Sequence, residues 1–271
     1  MTALRLVRGL LALLVLAGSA SLAAQTRIVS LAPALTESLF DIGAGGAVVG
    51  TMEFSDRPPE ARAIARIGSH AGLDLERIVA LRPTIVLAWG GGTPALWIER
   101  LRALALPVEV ISVGTLDDIA SALVTLGRLS GHRAQADRLA AEVRSRLARL
   151  GRLGPRWRAF YQVWPEPLMT LNGEHVISDA MARCGARNVF AALPALVPHV
   201  GAEDVLRARP QAIIAARAAG DDADPLAFWR RFTDLPAVRE DRLIVLDADR
   251  MARPTVAMLD EVERLCARLE R

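Results

Sequence analysis

The chain contains no lysine, so all 33 of its positively charged side chains are arginines, set against 30 aspartates and glutamates. Its pI of about 9.6 therefore reflects the very high pKa of the guanidinium group and not a large excess of charge. Aromatic residues are scarce, at 4% of the chain, and no basic stripe is interleaved with them, which argues against a nucleic-acid partner. GxSxG, HExxH and P-loop patterns are missing, so no motif calls for catalysis, and the sequence reads as that of a non-enzyme. Cysteine is limited to Cys184 and Cys266. Beyond the first residues there is no apolar run long enough to cross a bilayer, which takes roughly 20 residues as a helix.

What is present begins with export. Arg5 and Arg8 make a basic start, Gly9–Ala17 is uncharged and apolar, and Gly18–Ala24 (GSASLAA) is small in character. That is the three-part pattern of a secretory signal peptide, expected to span residues 1–23 with cleavage after Ala23, or after Ala24 as the near alternative. No cysteine stands at that junction to carry a lipid anchor, so a free, soluble periplasmic protein is expected, and a monomer. In an oxidising compartment an even cysteine count points to a disulfide. A two-cysteine metal site is the weaker reading, because zinc sites usually recruit four ligands at close spacing.

The chain repeats one plan. Leu75–Ala88 (LERIVALRPTIVLA) parallels Ala202–Ala215 (AEDVLRARPQAIIA), and Glu76 and Glu203, Arg82 and Arg209, Pro83 and Pro210 are each 127 positions apart. Each segment reads as a short helix, a break at Arg-Pro, and a buried strand, since proline disfavours helical geometry in the residue before it. Strands are expected at Arg27–Leu31, Val48–Gly50, Val108–Val113, Ala159–Val163 and Leu243–Leu246, and helices at Thr36–Ile42 and Ser178–Cys184. Strand–helix alternation predicts an α/β fold of two Rossmann-like lobes with mostly parallel sheets, over residues 24–130 and 155–271. Between them, residues 131–154 read as one long connecting helix, with Leu139, Val143, Leu147 and Leu150 on its apolar face.

Open α/β sheets hold ligands beyond the carboxyl ends of their strands, so the residues just after each strand are the candidates. These are Pro33 after the first strand, Trp89-Gly90-Gly91-Gly92 after TIVLA, Trp164 with the proline-stiffened Glu166-Pro167 loop, and Asp249 with Arg253 after LIVL. Two indoles in matching positions could meet a flat ligand from opposite sides. Read from spacing alone, Asp249 and Arg253 are an ordinary surface ion pair. His70 and His199 precede the two repeated helices and are candidates to line a cleft. His132 opens the connecting helix, and His175 sits in a turn. Nothing in the pattern requires a resident metal or cofactor.

Together these segments resemble the periplasmic cobalamin-binding proteins of ABC importers, within the class whose two lobes are joined by a long backbone helix. The likeness is carried by Arg27–Gly50, Phe54–Ala61, Gly72–Gly92 (GLDLERIVALRPTIVLAWGGG) and Glu203–Ile214, and it covers essentially the whole mature chain. It implies that a corrinoid is the transported ligand and that an inner-membrane ABC permease dimer is the partner. It also implies ligand contacts from Phe54, Trp89 and the Trp164 loop, a polar edge from Asp249 and Arg253, permease docking through Glu76 and Glu203, and pairing of Cys184 with Cys266. The chain departs from that pattern where His70 and Val197 stand in place of tryptophans. Haem or a ferric siderophore on the same scaffold is therefore an alternative cargo. An exported enzyme using cleft Glu and His residues is the alternative of another class.

Overall fold

The structure, a computed structural model, describes residues 26–150, 154 and 156–270; the expected signal peptide lies outside these. The first lobe is built from β1 (Ile28–Ser30), α1 (Pro33–Asp41), β2 (Val48–Thr51), α2 (Leu75–Ala80), β3 (Ile85–Trp89), α3 (Ala95–Ala103) and β4 (Val108–Ile111). Two long helices follow, α4 (Leu116–Ser130) and α5 (Arg133–Leu150). The second lobe contains β5 (Trp157–Gln162), α6 (Val176–Arg183), β6 (Ala186–Asn188), α7 (Ala202–Ala208), β7 (Ala212–Arg217), α8 (Pro236–Arg239), β8 (Leu243–Asp247), α9 (Ala248–Met251) and α10 (Met258–Leu269).

The two main sheets have the same order, β2-β1-β3-β4 and β6-β5-β7-β8, and every pairing in them is parallel. A two-stranded antiparallel hairpin accompanies each sheet, Gly68–Ser69 with Gly72–Leu73 and Trp164–Pro165 with Leu168–Met169. The sequence repeat is thus a repeat of topology. It extends to the backbone: Arg82 and Arg209 both turn left-handed, with φ of 46° and 44°. Extended geometry is expected ahead of a proline, yet at both positions the helix ends on a left-handed residue and the proline then blocks continuation.

The expected connecting segment 131–154 holds α5, and a second helix, α4, precedes it and packs alongside. α4 starts where the Asp118 carboxylate accepts from the Gly114 and Thr115 N–H groups at 3.1 and 2.8 Å, a third-position acid reaching back over the helix start. It stops at Gly131, whose φ of 80° suits a residue without Cβ. α5 then runs back alongside it. A Cβ on Gly127 would lie 2.3 Å from that of Ala136, so glycine is what permits this close approach. The buried stripe of α5 is Ala136, Ala140, Val143 and Leu147, with Leu139 and Leu150 half-buried. Alanines supply half of the face because a second helix, not open space, lies against it.

One continuous core runs through this helix pair into both lobes. It joins Ile28, Leu35 and Leu39 of the first, Leu123, Leu126, Val143 and Leu147 of the pair, and Met181, Ile214, Ile244 and Leu259 of the second. The first lobe also covers the outer face of its sheet with Ile67, Ile78 and Leu101, the second with Phe160, Val205 and Trp229. α10 closes the second lobe with Met258, Leu259, Val262, Leu265 and Leu269 buried at helical spacing. Its Cys266 forms a disulfide with Cys184 at the end of α6.

Candidate functional site

Parallel sheets leave the carboxyl ends of their strands facing one way, and here those ends face a shared space. A cavity of about 1090 Å³ lies between the lobes. The first lobe walls it with Trp89, Gly90 and Gly91 at the end of β3 and Ser112–Gly114 after β4; the second contributes Tyr161–Pro165 at the end of β5, Ala215–Ala218 at the end of β7, and residues around α9. That volume sits at the upper end of the range for small-molecule sites, so the cleft suits a large ligand.

The expected indole pair comes together on this space. Trp89 ends β3 half-buried, its backbone N–H donating to Thr93 Oγ1 at 2.9 Å. The glycines after it have local causes. A Cβ on Gly90 would lie 1.9 Å from Ser112 Oγ, one on Gly92 would press on the Trp89 ring at 2.8 Å, and Gly91 has φ of 81°. Trp164 opens the second lobe's hairpin with 58% of its surface exposed, its indole N–H donating to the Glu166 carbonyl at 3.0 Å.

A third ring was not signalled by any motif. Phe228 lines the same cavity, packs edge-on against buried Trp229 with centroids 4.9 Å apart, and has the Arg231 guanidinium 4.7 Å from its centroid. Beneath it Trp229 Nε1 donates to Gln162 Oε1 at 2.7 Å, and Gln162 Nε2 donates to the Pro225 carbonyl at 2.8 Å, so a cavity-lining amide is satisfied on both sides. Tyr161 also lines the wall, and burial pushes its hydroxyl well above the usual phenol range. His175, set aside in sequence as a turn residue, is a further lining side chain.

Charge around the cavity is unbalanced. Among the described residues lining it, one guanidinium, Arg217, stands against the carboxylates of Glu174, Asp221 and Asp224. Asp224 is held below the usual carboxylate range chiefly by the hydrogen bond from Arg230, whose Nε lies 2.8 Å from Asp224 Oδ2.

Several expected contacts lie elsewhere. Pro33, Phe54, His70, His199, Asp249 and Arg253 are not among the residues lining this cavity. His70 is exposed at the tip of the first lobe's hairpin. His199 lines a separate recess of about 410 Å³ with Phe190, Leu193 and Arg207, and its backbone bridges Met169. No group of three or more His, Cys, Asp or Glu able to hold a metal ion occurs among the described residues. Asp249 and Arg253 instead tie one lobe to the other. Arg57 Nη2 donates to Asp249 Oδ2 at 2.9 Å, and Arg253 Nη2 donates to the Phe54 carbonyl at 3.2 Å. Arg253 Nη1 lies 3.5 Å from Glu37 Oε2, and Thr255 Oγ1 donates to Glu37 Oε1 at 2.8 Å. The clasp adjoins the cavity, since Ala248, Met251, Ala252 and Pro254 line it. Phe54 sits at this clasp with 66% of its surface exposed and φ of 63°, a backbone region unusual for a bulky residue.

Glu76 and Glu203 each occupy the second position of their helix, α2 and α7, and both are exposed. Neighbouring aspartates already serve the helix starts: Asp74 accepts from Arg77 N–H at 2.9 Å, and Asp204 accepts from Gly201 N–H at 3.0 Å. Neither glutamate makes a hydrogen bond or ion pair among the described residues.

This geometry agrees with what the chain is similar to. Residues 28–250 match the family described as "Periplasmic binding protein". The vitamin B12-binding protein of Vibrio parahaemolyticus is 33% identical over 247 residues, covering 90% of this chain and 89% of that protein. The crystal structure of the periplasmic vitamin B12 binding protein BtuF of Vibrio cholerae superposes with a TM-score of 0.82 at 33% identity, covering 90% of this chain and 96% of that one. The periplasmic haem-binding protein HutB of Vibrio cholerae shares the fold, with a TM-score of 0.76 at 19% identity, covering 92% of this chain and all of that one. The chain belongs to the periplasmic binding protein family.

Proposed function

We propose that this protein is exported to the periplasm through cleavage of the segment 1–23, captures cobalamin or a related corrinoid between its lobes, and hands it to an inner-membrane ABC importer. The observation that carries the proposal is a cavity of about 1090 Å³ at the strand ends of both lobes with Trp89, Trp164 and Phe228 in its walls. Aromatic walls offer large apolar area at low entropic cost to a broad ring system. The relatives that bind vitamin B12 share the chain's length and fold. Calorimetric titration of the purified protein with cyanocobalamin should give saturable 1:1 binding. Absence of saturation below about 1 mM, which is only about 4 kcal/mol, would sink the reading.

Charge separates a corrinoid from haem as cargo. A corrinoid presents mostly neutral amides at its edge, whereas haem presents two propionates. With Asp224 already paired to Arg230, the wall sets Glu174 and Asp221 against Arg217, a small acidic excess that suits neutral amides better than propionates. The corrinoid is cargo, not a cofactor, and the protein acts by binding.

Delivery needs a docking face. Glu76 and Glu203 occupy equivalent, exposed, unpaired positions on the two lobes, which suits a two-fold symmetric permease carrying arginines. Replacing both with arginine should abolish corrinoid uptake by cells that rely on this protein, while the Kd for cyanocobalamin stays within about threefold of wild type, since rim charges act mainly on encounter. Collapse of affinity in that variant would make these glutamates site or fold residues instead.

A further inference from the structure

We propose that His175 is a fixed hydrogen-bond donor to a carbonyl on the ligand, held in the tautomer that does not ligate the ligand's metal. The inference rests on the corrinoid reading above.

His175 lines the cavity and is also the N-cap of α6. Its Nδ1 lies 3.1 Å from the Ile177 backbone nitrogen. A backbone N–H can only donate, so Nδ1 holds a lone pair there and, in the neutral ring, the proton resides on Nε2. Burial draws the ring's pKa down to about 4, which keeps it neutral at physiological pH. Nε2–H has no protein partner among the described residues. The ring, on a cavity-lining residue, therefore has one N–H left to offer and no lone pair. To bind a metal through Nε2 it would have to move its proton to Nδ1, and that would cost α6 its cap. Amide carbonyls at the rim of a corrin ring are acceptors of the matching kind, whereas a cobalt ion is not.

Two variants separate the donor from the cap. Serine and asparagine at this position both accept from the helix N–H and keep the cap. His175→Ser removes the reach into the cavity, and His175→Asn keeps a shorter N–H donor. Measured calorimetrically with cyanocobalamin, His175→Ser should bind about three- to tenfold more weakly, the worth of one hydrogen bond, with His175→Asn losing less. Aquocobalamin, whose cobalt-bound water exchanges for imidazole, should show no histidine-ligated spectrum on the wild-type protein. Equal affinity of both variants and wild type overturns the proposal. So does an imidazole-type spectrum in wild type that His175→Ser abolishes. Failure of wild type to bind either cobalamin overturns the corrinoid reading itself and this proposal with it.

Discussion

Trp164→Ala should weaken cyanocobalamin binding about 30- to 150-fold, the equivalent of about 2–3 kcal/mol for a buried aromatic anchor. The ring is 58% exposed in the free protein, so its apolar face is available to be covered by cargo. For the same reason its removal leaves the core untouched. Surface changes of this kind alter stability by about 0.5 kcal/mol or less, so Tm should move by no more than about 2 °C. Titration calorimetry and a thermal melt on the same sample check both halves of the expectation. Trp89→Ala should lose affinity to a similar degree but with a larger fall in Tm, because Trp89 is half-buried and packs against the central core. Affinity of Trp164→Ala within threefold of wild type would remove the second lobe's hairpin from the ligand site.

The largest expected effect on stability is that of the disulfide. Cys184 and Cys266 are 82 positions apart, so opening the bond frees a long loop in the unfolded chain. The chain-entropy account gives about 4–5 kcal/mol for a loop of this length. The Cys184→Ala/Cys266→Ala protein should therefore melt roughly 10–15 °C lower than wild type. Cyanocobalamin binding at 25 °C should persist, because neither cysteine lines the cavity. A melting point within about 3 °C of wild type would mean that the packing of α10 against the second lobe, through Leu259, Val262 and Leu265, already holds the terminus without the bond.

Much of this architecture can be read along the chain because its causes are local. The Arg-Pro steps at 82–83 and 209–210, set 127 positions apart, announce two copies of one helix–strand unit. Short apolar runs such as IVLAW and AIIAAR leave little choice but a strand buried on both faces. Trp89 and Trp164 stand out because each is a bulky ring at or just beyond the carboxyl end of a strand, where an open α/β sheet meets its ligand. The features that escape sequence reading depend on what lies opposite. Asp249 and Arg253 have the spacing of a simple surface pair, yet their partners are Arg57, Glu37 and the Phe54 carbonyl, roughly 200 positions away in the chain. Phe228 and His175 belong to no repeated motif, and a turn histidine or a loop phenylalanine carries no mark of facing a cavity. α5 misleads in a different way. Val143 and Leu147 are buried as the spacing suggests, but α4 lies alongside and the buried face continues through Ala136 and Ala140, leaving Leu139 and Leu150 half-buried.

The lobes are joined at two distinct places, the crossing pair α4 and α5 and the cluster in which Glu37 receives Arg253 and Thr255. Two anchorages define a line, and only swinging about that line leaves both intact. The exposed Arg57–Asp249 contact adds little stiffness, because such pairs contribute about 0–1 kcal/mol. Displacement during any such swing grows with distance from the pivot. Phe54 lies at the second of these anchorages, where its carbonyl accepts from Arg253. Whatever gape the protein allows its cargo should therefore be smallest beside Phe54, much as a door moves least at its hinges.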